Sequence, residues 1–207
     1  MRVLYLGKRH NMDIDSIQER HGRAYHLPLE LSRLGHDVSG LYIDYRTREG
    51  RWLRRDDRFA ISTCSLRGRW IPRFITYFRE LNRVVRKHRP DVLIGGSDAV
   101  NVVIGHHVAS RLRVPFVADV KDDYTSFGLT RNVPFLELAH YRALEQADLV
   151  ICASSGLESK LRSKGIARTM VLENAVPADF APNVTKDEAR QALGLPRDQF
   201  LFGVAGA

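Results

Sequence analysis

The chain has 207 residues, with 44% hydrophobic and 27% charged side chains; that length buries a proper core, and that composition excludes the disordered, collagen-like and disulfide-scaffold classes. No run approaches the roughly eighteen apolar residues of a membrane span, and the apolar run behind Arg2 reads as a first strand, not as a signal peptide. The formal charge of +8 is local: residues 46–89 hold fourteen basic against four acidic side chains, a net +10, which leaves −2 for the rest. Such a basic face suits nucleic acid, anionic lipid or a diphosphate-bearing substrate, against the plainer reading of a solvated arginine-rich surface.

In chain order, residues 2–6 make a first strand, followed by a polar loop from Gly7 to His21 that is long for a strand–helix connection and therefore a candidate for function. A helix spans 22–34, kinked by Pro28 and closed by Gly35. A second strand covers 38–45. Residues 46–58 are too polar for a core element, and 59–66 form a third strand. Over 71–88, Ile71, Phe74, Ile75, Phe78, Leu81, Val84 and Val85 recur at helical spacing with arginines opposite. A fourth strand at 91–94 leads to a Gly95-Gly96-Ser97-Asp98 turn, whose Ser97 or Asp98 caps a helix carrying Val100, Val103, Ile104, Val108 and Leu112.

Pro115 ends that helix, and 116–120 is a fifth strand. Lys121-Asp122-Asp123 and a loop follow, then a helix from Pro134 to about Ala147. The strand at 149–153, a helix opened by a Ser155/Glu158 capping box and stopped by Gly165, and a strand at 170–172 complete a further βαβ unit. A Thr185/Glu188 box opens a short helix ending at Gly194, and a fresh strand starts at Gln199. Cys64 and Cys152 lie in strands, share no spacing motif, and read as reduced core residues of a cytosolic protein.

This alternation of strands and helices is an α/β, Rossmann-like doubly wound, mostly parallel sheet, whose ligands gather outside the carboxyl ends of the strands. The candidate residues are those at these ends: Lys8, Arg9, His10, Ser97, Asp98, Lys121, Asp122, Asp123, Ser154 and Asn174. For Ser97, Asp98, Ser154 and Ser155, ordinary capping and turn chemistry is the stronger reading. Three charges in succession at Lys121-Asp122-Asp123 exceed what one cap needs. The dinucleotide and P-loop glycine fingerprints and the hydrolase serine elbow are absent, and no Cys/His set has zinc spacing, so no metal site is expected.

The strings Gly35-His36-Asp37-Val38, Arg89-Pro90-Asp91-Val92-Leu93-Ile94, Val114-Pro115-Phe116-Val117, Ala147-Asp148-Leu149-Val150-Ile151-Cys152-Ala153-Ser154, Glu173-Asn174-Ala175-Val176 and Asp179-Phe180 stand in that order. A short helix, Leu195-Pro196 and Phe200-Leu201-Phe202-Gly203 follow. Together they resemble the N-terminal, acceptor-side domain of family-4 glycosyltransferases, which have the GT-B architecture of two facing Rossmann-like domains. The resemblance covers nearly the whole chain. It implies a hexosyltransferase-type enzyme of polysaccharide biosynthesis. Such an enzyme moves a sugar from a nucleotide sugar to a glycan or lipid-linked acceptor, with retention.

It further implies no cofactor beyond the nucleotide-sugar co-substrate, which a C-terminal domain mainly holds. Residues 1–178 would then be the N-terminal domain and 179–207 a linker and first strand of the next, so that the chain alone is inactive. Lys121 and Asp122 would contact the donor sugar or acceptor hydroxyl. The expected location is cytoplasmic, with peripheral membrane contact through the basic 46–89 segment. The chain departs from the family in three places: Lys8 to His21 lacks a Gly-Gly pair, Lys121 stands where a histidine is common, and Asn174-Ala175 replaces Asn-Gly. The alternative is a non-catalytic basic module for nucleic acid or an anionic membrane surface; nucleic acid is disfavoured, because aromatic and basic residues do not interleave on a strand.

Overall fold

The computed structural model describes residues 1–11, 13–47, 52–54, 57–68, 70–124, 130, 132–175 and 184–202. Its centre is an eight-stranded sheet. Seven strands are parallel: β1 (Arg2–Lys8), β4 (Asp37–Asp44), β6 (Phe59–Ser65), β7 (Val92–Gly96), β8 (Phe116–Val120), β9 (Leu149–Cys152) and β10 (Thr169–Val171). A short β5 (Trp52–Arg54) runs antiparallel to β6 at one edge. The spatial order is β10-β9-β8-β7-β1-β4-β6-β5. β2 (His10–Asn11) and β3 (Ile14–Asp15) pair separately inside the long first loop. The sheet is thus the expected Rossmann-like one.

Side chains alternate across each strand, so β1 supplies both cores. Leu4 and Leu6 join Tyr77, Leu81 and Val84 of α2 (Trp70–His88), Val102 and Ala109 of α3 (Ala99–Leu112), Ala143 and Leu144 of α4 (Leu136–Glu145), and Leu161 of α5 (Ser155–Ser163). Val3 and Tyr5 join Ala24, Tyr25 and Leu29 of α1 (Arg23–Arg33) on the other face. Right-handed crossovers demand this division, because α1 carries the chain from β1 outward to β4, whereas α2 brings it back from β6 to β7 and α3 to α5 carry it on in the opposite direction to β10.

Several local expectations change. Pro28 lies inside α1 and cannot donate to the Ala24 carbonyl; the Tyr42 hydroxyl donates to that oxygen instead, at 2.5 Å. On α2, Tyr77 is buried while Ile75 and Phe78 stay 49% and 40% exposed, so the inward face is rotated from the one expected. Gly95 and Gly96 belong to β7 and not to the turn. A Cβ on Gly95 would lie 2.7 Å from the Asn101 carbonyl oxygen, so glycine there lets α3 approach the strand. α5 is capped by Ser154, whose hydroxyl accepts from the Leu157 amide, and not by Ser155. α4 begins at Leu136, later than Pro134, behind Phe135 at φ 65°. The sequence hides β5 because an edge strand needs no apolar alternation.

The chain divides into two units, Met1–Asn174 and Ala175–Ala207. In the second, α6 (Lys186–Ala192) carries both halves of the Thr185/Glu188 capping box and stops before Gly194 at φ 64°. Residues 199–202 are not in a strand, and among the described residues of this unit no strand is there to pair with them. The Val176-Pro177 corner, Asp179-Phe180 and the end of the expected strand lie outside the described residues.

Candidate functional site

The strand order reverses between β1 and β7: from β1 the chain builds outward to β4 and β6, then returns to add β7 on the other side. Helices leave the two strands on opposite faces, and in doubly wound sheets this is where a crevice forms at the carboxyl ends. Lys8 ends β1, Ser97-Asp98 follows β7, and Lys121 follows β8.

Asp98 is the N-cap of α3. Its Oδ1 accepts from the Asn101 amide and side-chain nitrogen, each at 2.8 Å, and its Oδ2 from the Tyr45 hydroxyl at 3.2 Å. Burial pushes its pKa up, against those donors and the positive charge of Lys8. Ser97 is buried and sits at φ 71°, a left-handed turn that swings Asp98 into the capping position. Lys121 is half-buried; its Nζ donates to Asn11 Oδ1 at 2.9 Å, and its amide donates to the Tyr124 hydroxyl at 3.3 Å. Burial lowers the Lys121 pKa, and Lys8 lowers it further, while Asp122, Asp119 and Asp98 oppose both. Lys8, Asp98 and Lys121 therefore share one field at the crevice, with Asp122 exposed beside them.

Under this rim lies a network that the sequence does not announce. Asp119 of β8 is 2% exposed, and its Oδ1 accepts from Arg23 Nε at 2.7 Å and its Oδ2 from the Tyr5 hydroxyl at 3.1 Å. Burial raises its pKa against the pull of Arg23. Arg23, the first residue of α1, also donates to the Leu172 carbonyl at 2.6 Å, tying α1 to the end of β10. A lone aspartate in the run Phe116–Val120 was the available signal, since a buried carboxylate needs a partner; Arg23, distant in sequence, was not readable.

The other candidates stand elsewhere. Arg9 is 3% exposed and donates to Asp15 Oδ2 at 2.7 Å and Asp44 Oδ2 at 2.8 Å, so it fastens the first loop to β4 instead of facing the crevice. His10 packs into the same cluster, its Nδ1 3.4 Å from Asp44 Oδ1. Asp123 pairs with Lys160, and Ser154 is spent on the α5 cap. Asn174 is exposed past β10. Among the described residues no group of three or more His, Cys, Asp or Glu could hold a metal ion, and no helix is long and apolar enough to cross a membrane.

The sequence model of the Glycosyl transferase 4-like domain matches residues 22–175. The chain belongs to this glycosyltransferase family. Its fold is that of sucrose-phosphate synthase from Thermosynechococcus elongatus, with TM-score 0.68 and 14% identity, covering 96% of this chain and 54% of that one. HepE (Alr3699) of Anabaena, solved in complex with UDP, aligns with TM-score 0.56 and 15% identity over 94% of this chain and 50% of that one. This glycosyltransferase domain thus spans about half the length of both. No curated protein sequence matches it. The fold agrees with the N-terminal Rossmann-like half of GT-B enzymes, the family that the ordered strings resemble.

Proposed function

We propose that this domain is the acceptor-side half of a retaining, hexosyltransferase-type enzyme that moves a sugar from a nucleotide sugar to a hydroxyl of a glycan or lipid-linked acceptor. The observation that carries it is the gathering of Lys8, Asp98 and Lys121 at the switch point of a glycosyltransferase-family sheet. In this transfer the bond from the anomeric carbon to the diphosphate breaks, the nucleoside diphosphate leaves, and the acceptor oxygen gives up its proton. Two cations at the rim offset the charge developing on the diphosphate, and they act most strongly where water is partly excluded. Asp122, exposed beside Lys121, would contact the donor sugar or the acceptor hydroxyl. The UDP of the HepE complex supports a uridine nucleotide as the donor's carrier. The donor is held mainly by a second domain, and the reading needs no metal or further cofactor.

The test is sugar transfer in the enzyme that contains this domain. Lys121→Met and Asp122→Asn should each lower kcat by about ten-fold or more, in the range of a lost charge-stabilising or proton-transfer group, with unchanged thermal unfolding. Wild-type turnover in the doubly substituted protein would sink the assignment. The 207-residue chain by itself should bind nucleotide sugars weakly and transfer nothing; a tight complex overturns the acceptor-half reading. A second reading adds cytoplasmic, peripheral membrane contact, favoured by exposed Ile75 and Phe78 on the arginine-bearing α2. It requires vesicles with anionic lipid to retain the chain better than neutral ones.

A further inference from the structure

A cleft of about 820 Å³ opens at the amino ends of the strands, the opposite end of the sheet from the crevice. Arg2, Arg86, Arg89 and Arg113 line it above a floor that includes Val85, Pro90 and Val114. It forms where α2 and α3 end and the chain turns into β7 and β8.

Two ordinary explanations account for part of this charge. Helix carboxyl ends attract cations, and α2 and α3 each present about half a negative charge there. Asp91 supplies one more; it is held by Arg2 through Nη2 at 2.5 Å and the backbone amide at 2.7 Å, which keep its carboxyl down at about 2. Against these, four guanidinium groups leave a surplus of about two positive charges, counting the helix ends as half-charges. Among the described residues Arg86, Arg89 and Arg113 form no ion pair with a carboxylate. Arg89 and Arg113 also occupy left-handed backbone positions, φ 48° and 57°, where glycine or asparagine fits with less strain. Arginine at both aims two exposed forks at one cleft.

We infer that this cleft is a second anion site, separate from the crevice, that binds a doubly charged phosphate monoester. Guanidinium forks match phosphate oxygens in pairs, and the surplus equals the charge of the dianion. Among the described residues no aromatic side chain lines the cleft, so none of them stacks a nucleobase there. The phosphate belongs either to a soluble sugar phosphate or to a lipid headgroup.

Calorimetric titration of the 207-residue chain with glucose 6-phosphate, and flotation with phosphatidylcholine vesicles with and without phosphatidic acid, separate the sources. Binding of the soluble ester alone assigns the site to a metabolite. Capture by phosphatidic acid vesicles alone assigns it to a headgroup. In either case Arg86→Gln/Arg113→Asn should weaken the interaction at least ten-fold, whereas Lys8→Met/Lys121→Met should leave it unchanged. Arg2→Gln/Arg89→Asn serves if the first pair does not fold, as judged by thermal unfolding. The inference is overturned if neither probe binds, if the arginine variants bind as the wild type does, or if only the lysine variant loses binding, which would place the phosphate in the crevice. The proposed transfer reaction stands or falls separately, on its own Lys121 and Asp122 variants.

Discussion

His140 shows what a single buried side chain contributes. It is 2% exposed on α4, edge-on to Tyr124 and tilted against Tyr141, and among the described residues its Nδ1 has no hydrogen-bond partner. Burial lowers its pKa to about 4, against a small opposite pull from Asp123. The folded ring therefore stays neutral while the unfolded chain takes up a proton below about pH 6.5. Between those values the unfolded state holds more protons, so stability falls as pH falls. The full effect is about 3 kcal/mol, since each tenfold difference in proton affinity between the folded and unfolded chain is worth roughly 1.4 kcal/mol. Urea unfolding at pH 7 and pH 4.5 should show a loss in the wild type that His140→Phe reduces by roughly 2 kcal/mol; equal losses in both would remove the histidine from the account. The sequence held no sign of this, because Glu137 and His140 share a helix face that reads as surface chemistry. Lys121 and Asp98 were legible, since each follows a strand that the apolar pattern locates. Arg9 stands at such an end as well, yet its guanidinium turns to Asp44 across the sheet, a pairing that sequence separation conceals.

At the scale of elements, α1 and β4 show how a local defect is repaired by a distant strand. Pro28 removes one intrahelical bond, and Tyr42 of β4, fully buried, supplies the missing donor to the Ala24 carbonyl. Tyr42→Phe strips that oxygen of its partner and should cost about 1–3 kcal/mol, the penalty for a buried unsatisfied acceptor. In a Pro28→Ala background the backbone amide returns, and the same substitution should cost markedly less. A double-mutant cycle by chemical denaturation measures the difference, and additive effects would show that the two groups do not share one oxygen. Periodicity located α1 and its Gly35 stop to within a residue or two, but it gave no sign of the distant donor that serves the carbonyl Pro28 leaves without an amide. The same limit applies to α2: spacing fixes the period, whereas the sheet decides which flank of a broad apolar stripe faces inward, and it selects Tyr77 over Phe78. β5 was illegible for a different reason, as its backbone pairing with β6 does not depend on an apolar pattern.

For the molecule as a whole, the strand order determines where chemistry is possible. A sheet built outward from β1 in both directions opens one crevice, and both cores meet along that strand. The α/β class follows from the alternation of elements, but the spatial order follows only once each crossover is right-handed, which is why the candidate site rests on the resemblance and the topology together. Every residue of the two core clusters lies before Asn174, and α6 of the second unit buries none of its side chains. Stability should therefore reside in Met1–Asn174. A chain cut after Asn174 loses α6 and its capping box, worth about 1 kcal/mol to that helix alone, and loses no member of either core cluster. Its thermal midpoint should stay within about 4 °C of the 207-residue chain, the shift that roughly 1 kcal/mol produces in a domain of this size. Amide exchange in β1, β4 and β7 should be as slow as in the longer chain, because these strands open only with the whole sheet. A fall in midpoint of ten degrees or more, or fast exchange in β1, would mean that residues beyond 174 form part of the folding unit. The crevice would then have to be described with them included.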